Sequence, residues 1–325
     1  MTNYFFIYRP FQLHYAKKII SLHHKNENNF LVNHFTSGSS AITTDNNTTI
    51  IHLSRSIINR ILHFRKIKKA ILAKAKNGEA ISIFIPHTLG ILSNYAYYVL
   101  AKKYKNVKLN LFYEGVIFFY KYNHNIKNNL SYYLSRSIAG LFSGMPYNIN
   151  GDLLDLQNSK IYKIYSPFLN IAAPAEKIIE TELDNLIFVP KVDFCVILGH
   201  GINAPIDLQK KLISALYCKI SELQIKNIYL KDHPYEKCDI FHTLAKENNI
   251  KINIIDSILP IENIIIQYAP KYVFSLWSSS IVNLKKTLPS DVEVFSIVNE
   301  EIIKSHKIEE LIQVFHQQEI KVIYV

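Results

Sequence analysis

Phe194-Cys195-Val196-Ile197-Leu198 is a run of five apolar residues that stops at Gly199-His200-Gly201. So short a run, with no polar alternation and a glycine-flanked end, predicts a strand buried on both faces, as in a parallel sheet. Downstream, 206–224 carries apolar residues at helical spacing, and Asn227-Ile228-Tyr229-Leu230-Lys231 reads as the next strand. Strand, turn, helix and strand make a βαβ unit, which sets the class as α/β. Working outward, strands are expected at 251–255, 272–275, 293–297 and 321–324, separated by helices at 236–248, 279–288 and 306–317. Upstream the alternation repeats, with strands at 4–8, 30–33, 49–53, 82–86 and 108–113 and helices at 11–25, 56–77 and 88–104. Two such halves predict two doubly wound, Rossmann-like domains, 1–165 and 192–325. The segment 166–191, with Pro167, Pro174, Pro190 and an acidic helical piece at 175–184, is read as the linker.

A chain of 325 residues suits two such cores, and 49% hydrophobic with 19% charged residues excludes a disordered protein. Mean hydropathy is +0.05, and no run approaches the ~20 apolar residues of a spanning helix. Before Arg9-Pro10 there is neither a basic leader nor a cleavage-type end, so no signal peptide is expected. Three cysteines, Cys195, Cys218 and Cys238, without a CxxC pair favour neither a disulfide framework nor zinc, and a cytoplasmic location is expected. The net charge of +11 calls for anionic partners. Its densest stretch holds Arg60, Arg65, Lys66, Lys68, Lys69, Lys74 and Lys76 among apolar Ile61, Leu62, Ile67, Ile71 and Leu72. That pattern is an amphipathic helix with a basic face, either simply solvated or docked on an anionic membrane surface. Without a recognition motif, nucleic acid is not expected as a partner.

In open α/β sheets ligands bind beyond the carboxyl ends of the strands. Those positions hold Glu114-Gly115 after strand 108–113, Gly199 and Gly201 after 194–198, Lys231-Asp232-His233-Pro234 at the end of 227–231, and Ser278-Ser279-Ser280 after 272–275. Each has a plain structural reading beside a functional one. The serines cap a helix or bind phosphate at its N-terminus. The glycines form a turn or let backbone approach a nucleotide. His233 is fixed by Pro234 and could meet a departing phosphate, and Glu114 could serve as a base. DxD, HExxH and GxSxG are all absent, so no metal is expected.

The order of these motifs carries more than any one of them. Arg9-Pro10-Phe11-Gln12-Leu13, Glu114-Gly115, Gly199-x-Gly201, Lys231-Asp232-His233-Pro234, Pro260-x-Glu262 and Ser278-Ser279-Ser280 together resemble the bacterial GT-B sialyltransferases, the families of the capsular polysialyltransferases and lipooligosaccharide sialyltransferases. The sequence departs from them at Arg9, where Thr or Ser is usual, and at Tyr113, where many carry a second acidic residue. The resemblance implies two Rossmann-like domains facing a central cleft. It implies an inverting, metal-independent transfer of sialic acid from CMP-sialic acid to a surface glycan, without a cofactor, by a protein held peripherally at the inner face of the inner membrane. Glu114 would be the base and His233 would stabilise the leaving phosphate. Ser278, Ser279 and Ser280 would hold phosphate oxygens, and Glu262 the ribose. Gly199, Gly201, Lys231 and Pro234 would shape the donor site, while His87 and Gln12 would face the acceptor. Transfer of another nonulosonate from its CMP donor, or a non-catalytic basic envelope protein, fits the same residues less fully.

Overall fold

The structure, a computed structural model, describes residues 1–34, 42–45, 47–54, 56–115, 118–119, 130–149, 156, 160–171, 173–199, 204–232, 239–257, 259, 261–278, 280–306 and 308–325. The first unit, Met1–Glu182, runs β1 (Thr2–Ile7), α1 (Pro10–His23), β2 (Asn28–Asn33), β3 (Ile42–Asp45), β4 (Thr48–His52), α2 (Ile57–Lys76), β5 (Ile81–Ile85), α3 (Ile91–Tyr95), α4 (Ala101–Lys103), β6 (Val107–Phe112), α5 (Leu130–Ser143), β7 (Ile161–Ser166) and β8 (Ile178–Glu180). A π-helical turn, Ala96–Leu100, joins α3 to α4. The second unit, Leu183–Val325, runs β9 (Lys191–Leu198), α6 (Ile206–Glu222), β10 (Asn227–Lys231), α7 (Asp239–Glu247), β11 (Ile252–Ile254), α8 (Ile261–Tyr268), β12 (Pro270–Ser275), α9 (Ser280–Thr287), β13 (Glu293–Val298), α10 (Glu300–His306), α11 (Glu309–Gln317) and β14 (Lys321–Tyr324).

Each unit is built on one sheet. The first has the order β3-β4-β2-β1-β5-β6-β7-β8, parallel except for β3 against β4. The second, β11-β10-β9-β12-β13-β14, is parallel throughout. Both are doubly wound, with the strand order reversing between β1 and β5 and between β9 and β12. The apolar runs behave as such strands should. Phe5, Phe6 and Ile7 of β1 are fully buried, Phe5 stacks on Phe84 with ring centroids 4.0 Å apart, and Val196, Ile197, Val273 and Phe274 fill the second sheet.

Two sequence expectations need correction. The span 166–191 is not a plain linker: Pro174 starts a 3-10 turn, Ala175–Lys177, and Ile178–Glu180 then pairs with β7 as β8. The helix expected at 175–184 is therefore one turn followed by a strand, because β-branched Ile178 and Ile179 favour the extended edge. The first unit ends between Glu182 and Leu183, inside that span.

α2 confirms the amphipathic pattern, burying Phe64, Ile67, Ile71 and Ala75. Two of its cations have a structural use. Arg65 Nε donates to the Phe142 carbonyl at 2.9 Å and Lys68 Nζ to the Gly144 carbonyl, closing the carboxyl end of α5.

Candidate active site

In the first unit, three strand ends next to the β1/β5 switch point place the candidate residues. β6 delivers Tyr113 and Glu114, and Gly115 follows with φ +137°, a conformation glycine alone adopts without strain. Tyr113 is fully buried against Phe11, Tyr15, Phe118 and Phe168, so its position requires a large ring and leaves Glu114 as the carboxylate.

The Glu114 side chain is 7% exposed, and its Oε2 has no hydrogen-bond partner. Burial pushes its pKa up to about 7, against the opposing pull of Arg9, whose Nε lies 3.7 Å from Oε1. Arg9 is mostly exposed, so water screens that pull and desolvation prevails. Arg9, one of the two residues at which the sequence departs from its resemblance, thus lies beside the candidate base.

His87, at the end of β5, brings Nε2 to 3.7 Å from Glu114 Oε2. Burial, then Arg9 and Arg136, push its pKa down to about 3, so a neutral imidazole and not a cation faces the carboxyl. The Leu89 N–H donates to Nδ1 at 3.2 Å, which leaves the imidazole proton on Nε2, toward Glu114. The Tyr8 ring stacks on His87 at 4.7 Å and meets His34 at 4.3 Å, and its hydroxyl pairs with Ser93 Oγ at 2.8 Å.

Gln12 is buried in the first turn of α1. Its Oε1 accepts from the backbone N–H of Tyr8 at 2.7 Å and of Arg9 at 3.2 Å, while Nε2 is left without a partner. Gln12 therefore holds the β1–α1 corner, and with it Tyr8 and Arg9.

Gly90 allows Tyr8 its place, since a Cβ there would meet the Tyr8 hydroxyl oxygen at 1.9 Å. Gly90→Ala is expected to displace Tyr8 and lower the melting temperature, at a cost of about 1–3 kcal/mol. Thermal unfolding measures this; an unchanged variant would show that Tyr8 is not confined.

In the second unit the candidates gather at the β9/β12 switch point. The Gly199 N–H donates to the Lys231 carbonyl at 2.8 Å. Lys231 is buried, donates Nζ to the Ser257 carbonyl at 2.8 Å, and has its pKa lowered by burial against the raising effect of Asp232 and Glu262. Lys231 is thus a buried cation within electrostatic reach of two carboxylates. Glu262 lies in the first turn of α8.

Ser278 precedes α9: its Oγ pairs with Ser280 Oγ at 2.7 Å and its carbonyl accepts from the Ile281 N–H at 3.3 Å. The Ser296 hydroxyl donates to the Leu276 carbonyl and ties this corner to β13. His233, Pro234, Gly201 and Ser279 lie outside the described residues. Two loops that the sequence offers as acceptor-side, 36–47 and 121–129, fall there in large part, at residues 36–41, 46 and 121–129. Among the described residues, no group of three or more His, Cys, Asp or Glu side chains could hold a metal ion.

Comparison with known proteins adds to this geometry. Residues 208–298 match the model of the alpha-2,8-polysialyltransferase family (POLYST). The matched stretch runs from α6 to the end of β13 and contains Lys231, His233, Pro234, Glu262 and Ser278–Ser280. The resemblance read from the motifs is thereby supported over most of the second unit. No curated protein sequence matches the chain. Among solved structures, MurG of Acinetobacter baumannii is similar, at 9% identity, covering 99% of this chain and 85% of that chain with a TM-score of 0.46.

Proposed function

We propose that this protein is a sialyltransferase of the GT-B kind, moving sialic acid from CMP-sialic acid to a hydroxyl of a bacterial surface glycan with inversion and without a metal. The observation that carries the reading is Glu114: a buried carboxyl with a free oxygen and a pKa near 7, at a strand end beside a doubly wound switch point. The polysialyltransferase match supports the sugar class, since it encloses the residues assigned to the donor.

In this scheme Glu114 takes the proton of the acceptor hydroxyl as its oxygen attacks the anomeric carbon. The bond to phosphate breaks on the opposite face, and CMP leaves as a stable phosphate anion. His233 and Ser278, Ser279 and Ser280 receive that charge, with the N-terminal end of α9 adding its dipole. Glu262 holds the ribose, Gly199 and Gly201 let backbone approach the nucleotide, and Lys231 and Pro234 shape the turn. Arg9 keeps the base from rising further, and Gln12 keeps Arg9 in place.

The identifying test is donor hydrolysis with a panel of CMP-sugars, beside thermal stabilisation by CMP. At 100 times Kd, CMP should add about 2.7 kcal/mol. No stabilisation by CMP would overturn the transferase reading, and hydrolysis of a different CMP-nonulosonate alone would correct the donor. Transfer should also survive EDTA; loss restored by magnesium or manganese would sink the metal-free mechanism.

The pH dependence tests the base separately. Because Glu114 must be ionised to act, kcat/KM should fall with unit slope below about pH 7, the value to which burial lifts it. Arg9→Thr removes a charge that lowers this pKa, so the rising limb should move to higher pH. An unmoved limb would remove Arg9 from the site.

No helix among the described residues is long and apolar enough to cross a membrane. The basic face of α2 supports peripheral association with an anionic inner leaflet, each cation contributing roughly 1 kcal/mol. High salt should then release the protein from membranes; retention until detergent is added would contradict electrostatic docking.

A further inference from the structure

Between α2 and the β1–β2–β4 side of the first sheet lies a cavity of about 390 Å³. This is within the ~300–1,000 Å³ usual for small-molecule sites. Strand register sets its floor. Tyr4 pairs with Phe30 and Phe30 with Thr49, so Tyr4, Phe30 and Ile51, two residues beyond Thr49, share the face toward α2. The Tyr4 and Phe30 rings lie within 16° of parallel, their centroids 5.1 Å apart, and give that floor aromatic faces. On α2 the lining residues are His63, Lys66, Ile67, Ala70 and Lys74, at the spacings of three and four that make one helix face. Ile67 is buried, but the next residue on that face, Ala70, is exposed and offers a single methyl. The gap between sheet and helix opens there, where a larger apolar side chain would close it. Tyr4 and Phe30 precede Tyr8 and His34 by four residues of extended chain, about 13 Å, so the cavity stands apart from the strand ends that hold the candidate base.

Its charge is uneven. Lys74 is paired with Glu79 at 2.8 Å. The same carboxylate reaches Tyr4, whose hydroxyl is lifted to about 12 by burial and then by Glu79. Charge is therefore balanced at that end. Toward the end where β4 leads into α2, the lining groups are His52, His63 and Lys66, with no carboxylate among the described lining residues. Lys66 has no hydrogen-bond or ion-pair partner among the described residues. The Asn33 amide donates to His52 Nδ1 at 3.2 Å, which leaves the proton of that ring on Nε2 as a free donor. His63 Nδ1 is buried without a partner, a state that costs about 1–3 kcal/mol unless something else meets it. An unpaired cation and two imidazoles with unused ring nitrogens thus border a flat apolar slot.

We infer that this cavity binds a small aromatic carboxylate, its ring between Phe30 and Ala70 and its oxygens facing His52, His63 and Lys66. A carboxylate has about four acceptor positions and can take all three donors at once. Stacked rings and one methyl suit a flat ring, which buries its faces without losing chain entropy. The site goes beyond the transferase reading and does not depend on it.

The test uses the full chain and 2-naphthoate, followed by its own fluorescence. Two controls separate the parts of the inference: 2-naphthamide keeps the ring without the charge, and octanoate keeps the charge on a flexible chain. Saturable one-to-one binding of 2-naphthoate is expected, about tenfold tighter than either control. Lys66→Met should bring 2-naphthoate down to the level of the amide. Ala70→Leu should fill the slot, weakening binding about tenfold or more while the melting temperature holds or rises. Thermal unfolding checks both variants, and Ala70→Met serves if the leucine variant melts early. No saturable binding of 2-naphthoate, or binding unchanged in Lys66→Met and Ala70→Leu, would overturn the site. Equal binding of the amide would overturn the anion, and tighter binding of octanoate the aromatic ring. Displacement of 2-naphthoate by CMP would overturn the assignment in favour of a nucleotide site.

Discussion

Glu114→Gln is expected to slow sugar transfer about 10²–10⁴-fold and, at the same time, to make the protein more stable at alkaline pH. The catalytic loss follows from removing the base while keeping its shape. The stability gain follows from linkage. Burial lifts the Glu114 pKa from the ordinary 4.5 to about 7, so the folded chain holds this proton more tightly than the unfolded chain does. The stabilisation is fully present below about pH 4.5 and is lost as pH rises through about 7. Above that, the buried carboxylate costs on the order of 3 kcal/mol that glutamine does not. At about 2–4 °C per kcal/mol, the variant should melt several degrees above the parent at pH 8 and level with it near pH 4. Transfer at near the parent rate would end the assignment. Equal melting at both pH values would show that the carboxyl is not desolvated.

Replacing His233 with Ala should cost about 10²–10³-fold in transfer and in donor hydrolysis alike, because both reactions expel the same phosphate. This sets it apart from Glu114→Gln, whose loss falls on the reaction that needs an acceptor hydroxyl. Alkali should relieve Glu114→Gln by supplying alkoxide and should leave His233→Ala slow. His233 follows Asp232 just past β10, two residues from buried Lys231, so its place in the chain is the same strand end that holds the other donor candidates. Donor hydrolysis untouched in His233→Ala would remove it from the leaving-group site.

The central strands were legible because burial on both faces leaves an unbroken apolar run, as at 194–198 and 227–231, and such runs have few other readings. Six elements were not, β3, α5, β7, β8, α8 and α10, and three of them show why. α5 carries Leu130, Leu134, Ile138 and Leu141 at helical spacing, but this apolar stripe faces water and Tyr133 faces inward, so the pattern lacks the polar outer face that marks an amphipathic helix. In α8, Ile261 to Tyr268 is short and mostly apolar, a pattern that strands share. β8 has only three residues and stands as a strand through its pairing with β7. The same division holds for the site. Glu114, His87 and Ser278 could be picked out because each ends or follows a strand, where ligands bind in this class. The contacts of Arg9, Tyr8, His34, Arg60 and Arg136 arise only when strand ends and two helices, α2 and α5, far apart in sequence are brought together.

The closure of α5 by Arg65 and Lys68 sets up a competition for shared cations. An anion drawn to the basic face of α2 must take these two groups from the Phe142 and Gly144 carbonyls, or do without them. Taking them would loosen the last turn of α5, which carries Phe142. Electrostatic attraction to a surface and closure of α5 therefore oppose one another at this helix end. Salt, which weakens exposed charge pairs, would then relax the first and leave the second in place.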